Sequence, residues 1–248
     1  MSFDDGARAN AAKPIVFVAA LAIECASVRR RAAAGASWRV EQSGPGPERA
    51  AAAAARALAN GAELCIAWGL AGALDAAVVP GTLLAPRRIV SASATALAVD
   101  ERWHAALATL ADEFELVTGD LLTTAAVLES PDAKRAAARA TRAIAVDMES
   151  AAVGAAATRA GVPFVALRVI VDALDDALPR HAEQWVDERG HRRMAPALRA
   201  VVAVRQWRPL LTLAKRYRVA SRVLTRLASA LHERGVLGDS TPLHDARS

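Results

Sequence analysis

The sequence predicts an α/β domain with a central, twisted, mostly parallel sheet flanked by helices, and a basic amphipathic helix appended near its C-terminal end. Three observations carry this. Short apolar runs alternate with stretches of helical character through residues 14–178, the order expected when strands are joined by crossover helices. Beyond Pro209 the pattern changes to one long helical period with cations on its polar side. The length of 248 residues, with 54% hydrophobic and 23% charged, suits one domain with an appendage.

Taken in order, residues 15–21, 64–68, 82–90, 114–117, 143–146 and 163–171 read as strands. Residues 50–59, 101–112, 131–140 and 150–160 read as helices, with Gly61 and Gly161 as stops. Gly44-Pro45-Gly46-Pro47 reads as a loop. The first apolar run, 15–23, is only nine residues long and is preceded by Lys13-Pro14 and interrupted by Glu24. It is too short to cross a bilayer and fits a buried first strand better than a secretory signal. The boundaries drawn are a flexible leader over 1–13, the catalytic-looking domain over 14–205, the basic helix over 206–236 and a flexible tail over 237–248.

Aromatics make up only 4% of the chain, so alanine-rich helices must pack closely. Cys25 and Cys65 lie in or beside apolar runs and read as buried free thiols of a reducing cytoplasm; no metal site is expected. His104, His181, His191, His232 and His244 have no metal-ligand spacing. The formal charge of +5 is concentrated late in the chain, where 198–236 holds nine Lys or Arg against the single acid Glu233.

The most informative string is Ala145-Val146-Asp147-Met148-Glu149-Ser150-Ala151-Ala152. It sits at a strand-to-helix junction, where open α/β sheets face the ligand crevice. A buried Glu149 there can accept hydrogen bonds from paired sugar hydroxyls, with Met148 packed beneath the ring. The plainer alternative is that Asp147 caps the helix and Glu149 complements its dipole. Asp172 ends the strand-like 163–171 run, where desolvation can raise a carboxyl pKa and keep a proton available; the alternative is a loop-capping acid among Asp172, Asp175 and Asp176. Glu24 reads either as a functional acid or as a solvated partner of Arg29 to Arg31. Gly69-Leu70-Ala71-Gly72 reads as a tight turn that lets backbone N–H groups approach a ligand, or merely as a bend.

With Ala20-Leu21 and Glu24, Gly69 to Gly72, Thr118-Gly119-Asp120, Met148-Glu149 and Arg168 through Asp172 in this order, the chain resembles the nucleoside phosphorylase and methylthioadenosine/S-adenosylhomocysteine nucleosidase superfamily over residues 14–178. The resemblance implies a single nucleoside phosphorylase-like domain closing toward a barrel, homo-oligomeric assembly and no cofactor, with inorganic phosphate open as a co-substrate. It implies that Asp172 donates a proton to the purine N7 and that Glu24 is the general base for water. Met148 and Glu149, with Asp147, would bind the ribose; Ala20, Leu21, Gly69, Gly72, Leu122, Thr123 and Val171 would line the substrate site. Several positions depart from the family pattern. Leu70 stands where a serine is common, Ala67 where the phosphorylases carry a phosphate-binding arginine, Val171 where a serine often precedes the aspartate, and Leu122 where an aromatic stacks on the base. The loss of phosphate ligands favours water as the nucleophile.

The tail separates the readings further. Leu210, Leu213, Tyr217, Ala220, Leu224, Leu227 and Leu231 recur at steps of three and four, with Lys215, Arg218, Arg222 and Arg226 opposite. Such a helix packs on its own core, lies on a membrane surface or binds nucleic acid, and no recognition motif accompanies the last. The landmarks and the basic C-terminus are most similar to the hopanoid-associated phosphorylase-like nucleosidases. That similarity implies removal of adenine from adenosylhopane, leaving ribosylhopane, at the cytoplasmic membrane face, without nucleic acid as a partner. The alternatives are a phosphorylase or nucleosidase of soluble nucleosides, and a degenerate member that only binds a nucleoside or a membrane.

Overall fold

The computed structural model describes residues 13–32, 36–91, 96–178 and 207–237, with backbone alone for 207–213. Residues 1–12 of the expected leader, residues 179–206 with His181 and His191, and residues 238–248 of the expected tail with His244 lie outside the described residues.

Strand β1 (Ile15–Ala19) is buried along its whole length. It leads into α1 (Ala22–Ala32), followed by β2 (Trp38–Gln42), α2 (Pro47–Leu58) and β3 (Leu64–Ala73). The chain continues through β4 (Leu83–Leu84), β5 (Arg88–Ser91), β6 (Ala96–Ala98), α3 (Glu101–Ala108), a 3-10 turn (Thr109–Asp112), β7 (Leu116–Val117) and β8 (Asp120–Thr123). It closes with α4 (Pro131–Thr141), β9 (Ala145–Asp147), α5 (Ser150–Arg159), β10 (Phe164–Asp172) and α6 (Trp207–Glu233). The strands form one sheet in the order β6-β5-β8-β9-β3-β10-β4-β7, with β1 also on β3 and β2 on β1. Among the described residues six of the nine strand pairings are parallel. This is the flanked, mostly parallel sheet that the alternating pattern predicts.

β3 organises the sheet. Along Leu64–Ala67 it pairs in parallel with β1, but at Gly72 and Ala73 its partner on that side is β9, antiparallel. β10 follows it from Phe164 opposite Cys65 to Asp172 opposite Gly72. Where β1 and β9 part company a crevice opens at the carboxyl ends of the strands. The expected tight turn at Gly69 to Gly72 is therefore absent: these residues continue β3, because β10 supplies ladder partners all the way along. The expected single strand over 82–90 is two strands, since Ala85-Pro86-Arg87 intervenes and proline cannot donate to a ladder. β2, with its half-exposed alternating pattern, and the short β6 escape a search for apolar runs. α1 escapes it as well, because the apolar run 15–23 straddles the strand–helix boundary.

Alanine earns its abundance between helices. Ala50, Ala53, Ala54 and Ala57 of α2 are buried, as are Val153, Gly154, Ala156 and Ala157 of α5, which packs against α2. Gly154 is required here: a Cβ would come within 2.1 Å of Leu97 and 2.8 Å of Phe164.

Helix α6 packs on α1 and β10. Ala220, Leu224, Leu227 and Leu231 are buried in the main core, each leucine contributing about 1.5–3 kcal/mol. Arg31 of α1 holds Ser229 at 2.7 Å and Glu233 at 3.2 Å. From Ala220 to Leu231 the leucine face thus lies against the protein itself. The exposed side presents Lys215, Arg218 and Arg222, while Arg226 lies over Phe114 and pairs with Glu113. No helix among the described residues is long and apolar enough to cross a membrane.

Candidate functional site

A cleft of about 200 Å³ opens at the carboxyl ends of β1, β3, β9 and β10. Nine of the residues singled out from sequence line it: Ala20, Leu21, Glu24, Gly72, Asp147, Met148, Glu149, Val171 and Asp172. Three others do not. Leu122 is buried in β8 and packs with Leu74 and Ala143. Thr123 turns its hydroxyl to Asp147 at 2.7 Å. Gly69 lies behind the wall with φ 153°, where a Cβ would meet Glu24 Oε1 at 2.4 Å and Arg168 Nη1 at 2.6 Å. Thr124, Val127 and Leu128 line the cleft near the position assigned to Leu122.

Glu24 is no solvated partner of the α1 arginines. It is 3% exposed, and its Oε2 accepts the N–H groups of Ala20 at 3.0 Å and Leu21 at 2.8 Å. Its Oε1 accepts Leu70 N–H at 2.9 Å. Among the described residues three of about four lone-pair positions are taken, leaving one for a ligand. Burial pushes its pKa up, opposed by Arg168 and the three amides.

Asp147 takes the helix-capping role and adds an ion pair to it. Its Oδ2 accepts Ser150 N–H at 3.0 Å, at the start of α5, and pairs with Arg168 Nη2 at 2.6 Å. Arg168 is 2% exposed and also donates to Ser150 Oγ at 2.9 Å. A lone arginine inside the apolar run that leads to Asp172 in β10 is the sequence signal for this buried network.

Glu149 is anchored through Oε1 by Gly46 N–H at 2.8 Å, so the glycine-proline loop braces the site. Burial, and then the neighbouring Asp147, push its pKa up to about 7, against the pull of Arg168. Asp172 is 4% exposed, and its Oδ2 receives a hydrogen bond from Lys134 Nζ of α4. Burial raises its pKa and Lys134 opposes that rise. Three carboxyls from separate elements are thus biased toward their protonated forms, a pattern concentrated at functional sites.

Sequence reasoning missed Lys134 and Tyr217. Lys134 sits in an ordinary-looking alanine-rich helix. Tyr217, the one tyrosine of the chain, belongs to the separate tail pattern yet lines the cleft with Leu178. Among the described residues no group of three His, Cys, Asp or Glu can hold a metal ion. Cys25 and Cys65 are buried, with thiols pushed up to about 12, which leaves them inert. A second cavity, about 340 Å³, lies at the opposite end of β1 and β2 beside Trp38 and His232, away from the carboxyl ends where ligands of such sheets bind.

Residues 28–203 match the sequence model of the phosphorylase superfamily. Among curated proteins none matches the sequence. Solved structures with a similar fold include a 5′-methylthioadenosine/S-adenosylhomocysteine nucleosidase from Helicobacter pylori, with TM-score 0.68 and 16% identity over 92% of this chain and 99% of that one. A putative nucleosidase of the same kind from Francisella philomiragia has TM-score 0.67 and 17% identity over 92% and 100% of the two chains. Futalosine hydrolase of Helicobacter pylori has TM-score 0.68 and 16% identity over 91% and 97%.

Proposed function

The chain belongs to the phosphorylase superfamily, and from that membership we propose that it cleaves the N-glycosidic bond of a purine nucleoside with water as the nucleophile. The observation that carries the reading is the convergence of Glu24, Glu149 and Asp172 on one cleft whose cations are already paired. Asp172 protonates the leaving base, which a carboxyl with a raised pKa is suited to do. Glu149 uses Oε2, which no described residue engages, to accept the ribose hydroxyls, with Met148 beneath the sugar. These contacts strengthen as the anomeric carbon gains positive charge. Glu24 orients a water through its remaining lone pair and takes its proton, helped by a basicity raised by burial.

Phosphate fits this cleft poorly. Arg168 is committed to Asp147 and Ser150, Lys134 to Asp172, and position 67 is a buried alanine. Among the described residues an incoming phosphate would meet carboxylates without a free guanidinium fork.

The finer substrate proposed is a lipid-linked adenine nucleoside, adenosylhopane. It is supported by the resemblance and by α6, which gives Tyr217 to the cleft while exposing Lys215, Arg218 and Arg222 beside the exposed Val219. Cations flanking an apolar residue suit an anionic membrane surface. From Ala220 to Leu231 the burial of the leucine face limits such contact to the basic side.

The test is adenine release from adenosylhopane and from methylthioadenosine in phosphate-free buffer with liposomes. Release without phosphate is expected, faster from the lipid substrate. Release from the soluble nucleoside alone removes the lipid assignment, and strict dependence on phosphate removes the hydrolytic one. No release under any condition leaves a binding protein.

A further inference from the structure

We propose that Lys134 is a positioning residue for Asp172: its ammonium holds Oδ2, presents Oδ1 to the cleft, and supports the carboxylate left after Oδ1 gives up its proton. The inference rests on the nucleosidase reading above.

Lys134 is 1% exposed and lies in the opening turn of α4, where the helix dipole disfavours a cation. A buried lysine in that place needs a strong reason. Its Nζ meets three acceptors: Asp172 Oδ2, Ala173 O at 2.7 Å and Asp176 O at 3.3 Å. Three acceptors match the three N–H bonds of an ammonium, whereas a planar guanidinium could not converge on them. The chemistry of the chain makes this choice informative, because only three of its 31 basic residues are lysine.

The surroundings single out the same pair. Gly72 provides its space: a Cβ there would stand 2.9 Å from Asp172 Oδ2. Val171, beside Asp172, has no polar group to share in holding it. The other charges nearby are engaged with one another. Asp176 receives Ala173 N–H at 2.6 Å and pairs with Arg216 of α6, and Arg135 pairs with Asp175 at 2.5 Å on the surface. Among the described residues Lys134 is the one side chain donating to Asp172, and none donates to Oδ1.

The proton count closes. The Oδ1 proton moves to a ring nitrogen of the base while the electron pair of the C–N bond goes to the base. The water oxygen bonds to the anomeric carbon and its proton goes to Glu24. Lys134 keeps its three protons throughout and neutralises the new carboxylate. Asp172 then takes a proton from solvent and Glu24 releases one.

The test uses the full chain, methylthioadenosine and Lys134→Met. Turnover should fall about tenfold or more with KM changed by less than about threefold, and the alkaline limb of the kcat profile should move up by about one pH unit. In an Asp172→Asn background the same substitution should change turnover by less than about twofold, since Lys134 then has nothing to act through. That double variant carries no unpaired buried charge and guards against a failure to fold. Infrared difference spectra against Asp172→Asn read the ionisation of Asp172 without substrate and should show the same upward move in Lys134→Met. An unmoved Asp172 titration, or an equal loss of turnover in both backgrounds, overturns the proposal. A wild-type protein that cleaves no nucleoside overturns the nucleosidase reading instead, and the infrared result still decides whether Lys134 governs Asp172.

Discussion

Glu149→Gln should stabilise the ligand-free protein at alkaline pH while removing its grip on a sugar. Glutamine keeps the size of the side chain and can still accept the Gly46 N–H that Glu149 receives at 2.8 Å. What it loses is a charge that the folded protein resists. Burial and Asp147 raise the carboxyl from its ordinary 4.5 to about 7, which at about 1.4 kcal/mol per pH unit costs roughly 3 kcal/mol once the group is ionised. Water in the cleft screens the group, so this figure is a ceiling. The sign follows from proton binding. Between pH 4.5 and about 7 the folded state holds a proton that the unfolded state has released, so wild-type stability falls as pH rises through this window and levels above it. The glutamine variant lacks this loss. The stability difference between variant and wild type should therefore be near zero at pH 4.5 and grow toward the ceiling by pH 8. That corresponds to a melting-temperature gain of several degrees, at roughly 2–4 °C per kcal/mol for a chain of this size. Urea unfolding of both proteins across this range is the assay, with nucleoside binding measured in parallel. A difference that stays flat with pH would refute the reasoning, because it would mean that Glu149 ionises as freely in the folded protein as in the unfolded chain.

Two further substitutions probe the frame that holds the site. Gly69→Ala would force a Cβ within 2.4 Å of Glu24 and 2.6 Å of Arg168 at a φ of 153°; a loss of about 2–4 kcal/mol is expected in urea unfolding, together with loss of turnover, and an unchanged protein would disprove the close approach. Leu227→Ala removes a fully buried side chain where α6 meets the core, and should cost about 2–5 kcal/mol in the same cooperative transition. A cost near zero would mean that the helix is an appendage and not part of the domain.

That last point marks a boundary in what the sequence alone determined. Periodicity identified α6 as one amphipathic helix and placed its leucines and cations on opposite sides. It could not say what covered the leucines, because a protein core and an acyl boundary select the same spacing. From Ala220 to Leu231, tertiary packing against α1 and β10 decided it. Likewise the ordered landmarks brought Glu24, Asp147, Met148, Glu149 and Asp172 into view, since each sits at a junction between elements where a polar residue breaks an apolar pattern. Lys134 and Tyr217 break no pattern in their own helices, and only the fold brings them to the cleft. The misread turn at Gly69 to Gly72 has the same origin. Glycines signal a bend when the chain is considered locally, but the long-range ladder with β10 keeps β3 extended, and the missing side chains instead make room for Glu24, Arg168 and Asp172. Local preference set the elements and named most of the acids. Which charges face one another, and therefore which protons each acid keeps, was decided by contacts between residues far apart in the chain.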